Sequence, residues 1–308
     1  VKLSVVATLY QSEAYIEQFY SRATAAARVF ADDDYELVFV NDGSPDNSLQ
    51  YAIRLSEADP HVLVVDLSRN FGHHKAMMTG LQYSKGDYVY LIDSDLEEEP
   101  EWLLPFAQTM KSRGSDVVYG VQERRKGRWF ERVSGHWFYY VFEKLTGVAV
   151  PKNMVTARLM SKRYVEALTK HLEREVFIAG LWHITGFEQV PNIVRKRSKL
   201  GTTYTLKRKL SILINSVTSF SNAPLIAIFY TGAVISSFSI VYILYLIFER
   251  AVRANPVEGW TSVMASIWLI GGLIISFIGV IGIYLAKIFS ETKQRPYSIV
   301  RSVYGQHK

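Results

Sequence analysis

The chain has 308 residues, a formal net charge of +6, 49% hydrophobic residues and no cysteine. The length allows one large domain plus a membrane segment. The lack of cysteine excludes a disulfide framework, a thiolate metal centre and a cysteine nucleophile. The positive charge is uneven: residues 195–209 carry Arg195, Lys196, Arg197, Lys199, Lys207, Arg208 and Lys209 with no acid among them. Such a collar suits anionic headgroups beside a bilayer. No nucleic-acid-binding motif accompanies it, so nucleic acid is set aside as a partner.

Taken in chain order, residues 3–8 form a short apolar strand run, without the basic and apolar regions of a signal peptide. Residues 13–30 have helical spacing, and residues 36–41 read as a buried strand. Asp42-Gly43-Ser44-Pro45 is a turn, with Ser44 placed to cap a helix through Ala58 and Pro45 at its first position. Strands are expected at 62–67, 88–93 and 117–121, and helices at 75–84 and 99–113. This alternation predicts an α/β fold with a mainly parallel sheet covered on both faces. Ligands then bind off the carboxyl ends of the strands. The polar residues gather there: Thr8 to Tyr10, Asn41 to Ser44, Ser68 to Asn70 and Asp93 to Glu97.

From residue 123 the pattern changes. Residues 129–145 are aromatic, basic and helical in spacing, and residues 206–220 read as a second amphipathic helix. Both suit an interfacial helix, and both equally suit an ordinary core face. Residues 225–248 and 263–286 then carry no charge at all. Each run is 24 residues, or about 36 Å as a helix, enough for a hydrocarbon core of about 30 Å. The link between them balances Glu249 and Glu258 against Arg250 and Arg253, whereas the tail is basic. The positive-inside rule therefore puts the N-terminal domain and the tail in the cytoplasm of a multi-pass protein. Gly271, Gly272, Gly279 and Gly282 allow close helix approach, either within the hairpin or in a homo-oligomer.

Asp93-Ser94-Asp95 follows the apolar run that ends at Ile92, with Glu97 two residues further on. Carboxylates so spaced form a hard oxygen site suited to Mg²⁺ or Mn²⁺ carrying a diphosphate; a solvated acidic turn is the alternative. Glu98, Glu99 and Glu101 read as helix N-terminal charges favoured by the dipole. Asp42 can accept from a base N–H or a ribose hydroxyl, with Gly43 permitting close approach. In the segment Arg69-Asn70-Phe71-Gly72-His73-His74, adjacent histidines point in different directions, which argues against a metal site. A loop closing over a diphosphate, with Arg69 or Lys75 on the phosphates, is the better expectation.

Taken together these segments resemble family-2 glycosyltransferases with a GT-A nucleotide-sugar-binding domain. The matching stretches are SVVATLYQSE (4–13), VNDGSPDNS (40–48), RNFGHHKAMMTG (69–80) and GDYVYLIDSDLEEEPE (86–101). RLMS (158–161), SFSNAPL (219–225), the two-helix transmembrane hairpin and SETKQRPYSIVRSVY (290–304) narrow the resemblance. They point to the polyprenyl-phosphate glycosyltransferases, the group of dolichol-phosphate mannose synthases and bactoprenol glucosyltransferases. The resemblance implies four segments: a cytoplasmic catalytic domain (1–205), a juxtamembrane amphipathic helix (206–223), the hairpin (224–289) and a cytoplasmic tail (290–308). It also implies an inverting, metal-dependent hexosyl-type transfer from a nucleotide-sugar to a polyprenyl phosphate at the inner membrane of a bacterium.

On that resemblance the nucleotide-sugar is held by Thr8, Leu9, Tyr10, Asp42, Arg69, Asn70, Asp93, Ser94 and Asp95. The metal falls to Asp93, Asp95 and Glu97, the last where relatives usually carry Gln. The acceptor phosphate falls to Arg125, Arg132, Ser134 and Arg195, and catalysis to Asp95, Arg125 and Arg132. A phosphate monoester is already anionic near neutral pH, so it needs cationic positioning rather than a strong base. Some positions depart from the pattern. Asn153 and Thr156 stand where relatives carry acids, Gln122 where an arginine is usual, and Thr202-Thr203-Tyr204 replaces a Ser-Lys-Tyr type segment. The alternative acceptor is a sugar hydroxyl of a lipid-linked saccharide, as in surface-polysaccharide assembly. That chemistry needs a base, for which Glu175 is the candidate.

Overall fold

The computed structural model describes residues 1–122, 144–145, 153–173, 178–196, 214, 217–218, 221–253 and 259–305. The chain divides into two compact units, one of residues 1–139, 148–204 and 295–308 and the other of residues 140–147 and 205–294.

In the first unit the strands are β1 (Leu3–Leu9), β2 (Tyr35–Asn41), β3 (Val62–Leu67), β4 (Tyr88–Asp93), β5 (Val117–Gln122), β6 (Met154–Ser161), β7 (Gln189–Val194) and β8 (Val300–Tyr304). They form one sheet in the order β7-β5-β6-β4-β1-β2-β3-β8. The pairs β1–β2, β1–β4, β2–β3 and β5–β7 are parallel. The pairs β3–β8, β4–β6 and β5–β6 are antiparallel. The sheet is therefore mixed but mostly parallel, a GT-A-like α/β arrangement. Three strands were not anticipated from the sequence: β6 enters between β4 and β5, β7 lies along the other side of β5, and β8 comes from the tail and covers the β3 edge.

Helices α1 (Ile16–Ala31), α2 (Ser48–Ala58), α3 (His73–Tyr83) and α4 (Leu103–Arg113) connect the first five strands. Ile16, Phe19, Ala23, Ala26 and Ala27 fall at helical spacing and are all buried. Phe19 meets Phe39 edge-on at 6.0 Å, and Tyr90 meets Phe106 at 6.2 Å. A Cβ on Gly80 would stand 2.5 Å from Val6 Cγ1 and 2.8 Å from Val40 Cγ2, so glycine lets α3 lie directly on β1 and β2. Two short helices, α5 (Lys162–Leu168) and α6 (Ile178–Ile184), flank β6 and β7 in sequence.

The expected helix start at Pro45 is corrected: α2 begins at Ser48, after Asn47. Asp46 takes the capping role that Ser44 was expected to fill. Its Oδ1 accepts from Ser44 Oγ (2.5 Å), Ser48 Oγ (2.6 Å) and Ser48 N (3.1 Å), and its Oδ2 from Glu13 N (3.1 Å). Burial pushes the Asp46 carboxyl up, but the Ser44 and Ser48 donors outweigh it and hold it below the usual carboxylate range. Such a group stabilises the fold above its unfolded pKa, and the contribution is lost as pH falls through the depressed native value. Asp46→Ala is expected to cost about 1–2 kcal/mol at neutral pH. In urea unfolding, the gap between variant and parent should narrow as the pH drops below about 4.

In the second unit, α7 (Ala223–Arg253) and α8 (Trp260–Thr292) enclose the two charge-free runs. Among the described residues, Leu269–Thr292 is long and apolar enough to cross a membrane, with mean hydropathy 2.4, and Ala223–Ile235 is a shorter apolar stretch. Phe229, Phe238 and Ile275 are exposed on these helices. Tyr284 Oη donates to Ser221 O at 2.6 Å. The amphipathic stretches expected at 129–145 and 206–220 lie almost wholly outside the described residues.

Candidate active site

The carboxyl ends of β1, β2, β3 and β4 lie side by side, because all four strands run parallel. Their exit loops therefore share one rim. Asp42 follows β2 and is buried. Its Oδ1 accepts from Phe71 N at 2.7 Å and its Oδ2 from Gly72 N at 3.1 Å. Burial pushes its carboxyl up, opposed by these two amides. Asp42 is thus a clamp on the loop before α3 as well as a candidate acceptor. Gly43 has φ +59, and a Cβ there would overlap the backbone of Arg69 and Asn70. The two loops touch backbone to backbone, which only glycine allows.

The remaining donor-side candidates divide into accessible and interior groups. Tyr10, Arg69 and Asn70 are exposed. The Arg69 guanidinium lies over the Phe71 ring at 4.1 Å and donates to Asn70 O at 3.1 Å. Leu9 is buried, with its carbonyl accepting from Asp42 N at 3.0 Å. Ser94 is buried too, and its Oγ donates to Thr8 O at 2.7 Å and lies 3.0 Å from Ser12 Oγ. Leu9 and Ser94 therefore tie β1 to its neighbours, and their side chains face the interior.

Asp93 ends β4. Its Oδ1 lies 3.1 Å from His73 Nε2, and His73 Nδ1 lies 3.0 Å from Thr8 Oγ1. The Asp93–His73 approach is an ion-pair contact without hydrogen-bond geometry, since buried Asp93 Oδ1 has no hydrogen-bond partner. Burial raises the Asp93 carboxyl, but His73 and then Lys196 more than offset it, leaving it below the usual range. Asp95 is half-buried and accepts from Glu97 N at 3.0 Å. Burial, then the carboxylates of Asp93 and Glu97, push Asp95 up. Between these acids Leu96 takes φ +60, an uncommon conformation for a branched residue, while its side chain packs on the core.

Glu98 corrects the sequence reading. It is fully buried and is not a solvated helix-end charge. Its Oε1 accepts from Thr156 N at 3.0 Å and its Oε2 from Ala157 N at 2.8 Å, which joins the loop after β4 to β6. Burial and nearby Asp93 push its carboxyl up to about 7, opposed by Lys196. Lys196 Nζ lies 3.4 Å from Glu98 Oε1 and 3.3 Å from Glu97 Oε2. Burial pulls the Lys196 ammonium down, but Glu98 and then Asp93, Glu97 and Asp95 raise it overall, so it stays charged. Glu101 pairs at the surface with Arg22, at 2.8 and 2.6 Å.

Glu98 and Lys196 are the residues whose part here sequence reasoning missed, while His73 and Thr156 stood in segments it had singled out without giving either a role. Lys196 sat in a basic run and Glu98 in an acidic one, and nothing local separates either from its neighbours. Arg195 is exposed just after β7. Arg125, Arg132, Ser134, Glu175 and residues 202–204 lie outside the described residues.

The donor set was tested against a divalent cation. Among the described residues no three His, Asp or Glu side chains converge as a metal cage. Asp93, Asp95 and Glu97 stand close together after β4 without being drawn into such a cage. Yet Mg²⁺ is commonly held by only one or two carboxylates plus substrate phosphates. The unsatisfied Asp93 Oδ1 and the hard oxygens of Asp95 fit such a cation arriving with a diphosphate.

A Mycobacterium tuberculosis (strain CDC 1551 / Oshkosh) protein described as a glycosyltransferase is 51% identical over 99% of this chain and 89% of its own length. The bactoprenol glucosyl transferase of Shigella phage SfX is 32% identical over 98% of this chain and 99% of its own length. Among solved structures, the Mycobacterium tuberculosis glucosyl-3-phosphoglycerate synthase with Mn²⁺, UDP and glucosyl-3-phosphoglycerate aligns at 20% identity and TM-score 0.47, over 71% of this chain and 80% of that one. Residues 4–212 match the glycosyl transferase family 2 domain, so the chain belongs to glycosyl transferase family 2.

Proposed function

We propose that this enzyme moves a sugar from a nucleotide-sugar to a polyprenyl phosphate at the cytoplasmic face of a bacterial membrane, with inversion at the anomeric carbon. The observation that carries this reading is the carboxylate group at the end of β4, flanked by His73 and Lys196. The extent of similarity to a bactoprenol glucosyl transferase supports the lipid acceptor. In the reaction an acceptor phosphate oxygen bonds to the anomeric carbon as the bond from that carbon to the nucleoside diphosphate breaks. The electron pair leaves on the diphosphate.

Asp93 and Asp95, with Glu97 beside them, would hold Mg²⁺ or Mn²⁺. When bound, that ion supplies neutralisation of charge on the departing diphosphate. Thr8 and Asp93 orient His73, and Lys196 balances the acids. Arg125, Arg132, Ser134 and Arg195 are assigned to the acceptor phosphate, where fixed cations replace the need for a base. Helices α7 and α8 would form the transmembrane hairpin, keeping the site beside a lipid that does not diffuse through water.

The test is mass spectrometry of lipid products after membranes carrying the protein are incubated with a panel of nucleotide-sugars. The expected product is a lipid phosphate bearing one sugar that mild acid releases. An acid-stable sugar–lipid linkage would instead establish a saccharide hydroxyl as the acceptor.

A further inference from the structure

The proposed function uses the acids at β4 and the loops after β1 to β3, but not the tail. Yet residues 295–308 belong to the catalytic unit. Strand β8 runs antiparallel to β3, and its register breaks at one place. Val64, Val65 and Asp66 face Tyr304, Val303 and Ser302 in turn, and then Leu67 faces Val300. Arg301 is therefore the extra residue of a β-bulge. A bulge bends the strand and re-aims a side chain, often beside a functional site.

Arg301 reaches two groups at the end of β3. Its Nη2 donates to Ser68 O at 2.5 Å, and its Nη1 lies 3.5 Å from Asp66 Oδ2. Asp66 is buried, and Oδ2 has no hydrogen-bond partner. The guanidinium thus compensates that oxygen by charge. The other oxygen, Oδ1, accepts from Asn41 Nδ2 at 2.8 Å, and Asn41 Oδ1 accepts from Ser44 N at 3.3 Å. A continuous polar chain runs from the tail through β3 and β2 to the Asp42-Gly43-Ser44 turn.

The same tail grips the next loop. Ser68 N donates to Ile299 O at 2.9 Å, so tail residues hold both the amide and the carbonyl of Ser68. From there the chain passes over Gly43 and ends on the Asp42 carboxylate. Ser298 Oγ lies 2.7 Å from Thr79 Oγ1 on α3, which fixes the approach of β8.

We propose that Arg301 is a positioning residue for donor binding: by joining Ser68 and Asp66 it holds the two loops that receive the nucleoside diphosphate in register. This rests on the reading that the turn at 42–44 and the loop at 69–72 hold the nucleotide. The tail is then part of the donor site, although it follows the last apolar helix in sequence and touches no substrate.

The experiment measures the affinity of the full-length, detergent-purified protein for UDP and GDP by calorimetry. Arg301→Ala is expected to weaken the nucleotide that the parent binds by about tenfold, raising donor KM while kcat at saturation changes little. Arg301→Lys keeps the charge but not the fork, and should fall between the two. Asn41→Ala should weaken binding as well, and the double variant should lose less than the two single losses combined, since both act on Asp66. If Arg301 only held β8 on the sheet, Arg301→Ala would lower the unfolding temperature yet leave nucleotide affinity unchanged, and that result would overturn the proposal. Additive losses in the double variant would overturn the chain through Asp66. Asp42→Ala separates this inference from the functional reading. Weakened binding there with none in Arg301→Ala defeats only the tail's role, whereas no loss in either variant defeats the nucleotide site itself.

Discussion

Asp95→Ala is expected to lower sugar transfer by about 10²–10³-fold or more while the protein still inserts into membranes. The reasoning is electrostatic. Asp95 lies beside Asp93 and Glu97, and burial together with those neighbours already makes its ionised form costly. A cation arriving with the diphosphate relieves that cost, so the cluster favours the state in which the leaving group is neutralised. Removing one carboxylate lowers the local charge and takes away a hard ligand. The backbone need not suffer, since among the described residues the side chain accepts from Glu97 N within its own loop. Transfer rate and membrane fractionation measured together decide the matter. Transfer at the parental rate from Asp95→Ala would remove the cation assignment, and loss of both transfer and insertion would mean the fold had failed.

The second large effect concerns stability. Glu98→Ala should cost about 3–5 kcal/mol, because it leaves two buried amides without acceptors and one ammonium without its inner partner. The amides are Thr156 N and Ala157 N, and the ammonium is Lys196. Glu98→Gln should recover only part, since an amide has one acceptor oxygen where two N–H groups converge. Glu101→Ala is the control. Its partner Arg22 lies near the surface, and such pairs are worth about 0–1 kcal/mol. Urea unfolding of the three variants ranks them. Equal stabilities for Glu98→Ala and Glu101→Ala would contradict the burial of Glu98. Because Glu98 ties the loop after β4 to β6, the damaged variant should also lose donor affinity.

The first four strands were legible because each is a run of apolar residues between turn residues, and such a run signals burial on both faces. The rim that carries the candidate site followed, since parallel strands present their carboxyl ends together. Strand β6 was harder. MVTARLMS places an arginine in its middle, yet Arg158 is buried there, donating to Thr156 O and Met154 Sδ. Strand β8 carries Arg301 and Ser302 in only five residues, and nothing in that pattern names β3 as its partner. The four acids from Glu97 to Glu101 show the same difficulty at smaller scale. Their chemistry is one, and their fates differ because one turn sends Glu98 under β6 and leaves Glu101 at the surface.

Composition and periodicity, which are local quantities, determined by themselves the class of fold, the rim that carries the candidate site, the acidic motif there and the two charge-free helices. Tertiary structure alone decided which acid is buried, which lysine out of the basic run joins the carboxylates, and that the tail returns to close the sheet beside the loop after β3. Those outcomes depend on contacts between residues distant in the chain: Glu98 with Lys196, and Asp66 with Arg301. The free energy of a buried charge is set by the partner that meets it after folding, and a residue's neighbours in sequence carry no record of that partner.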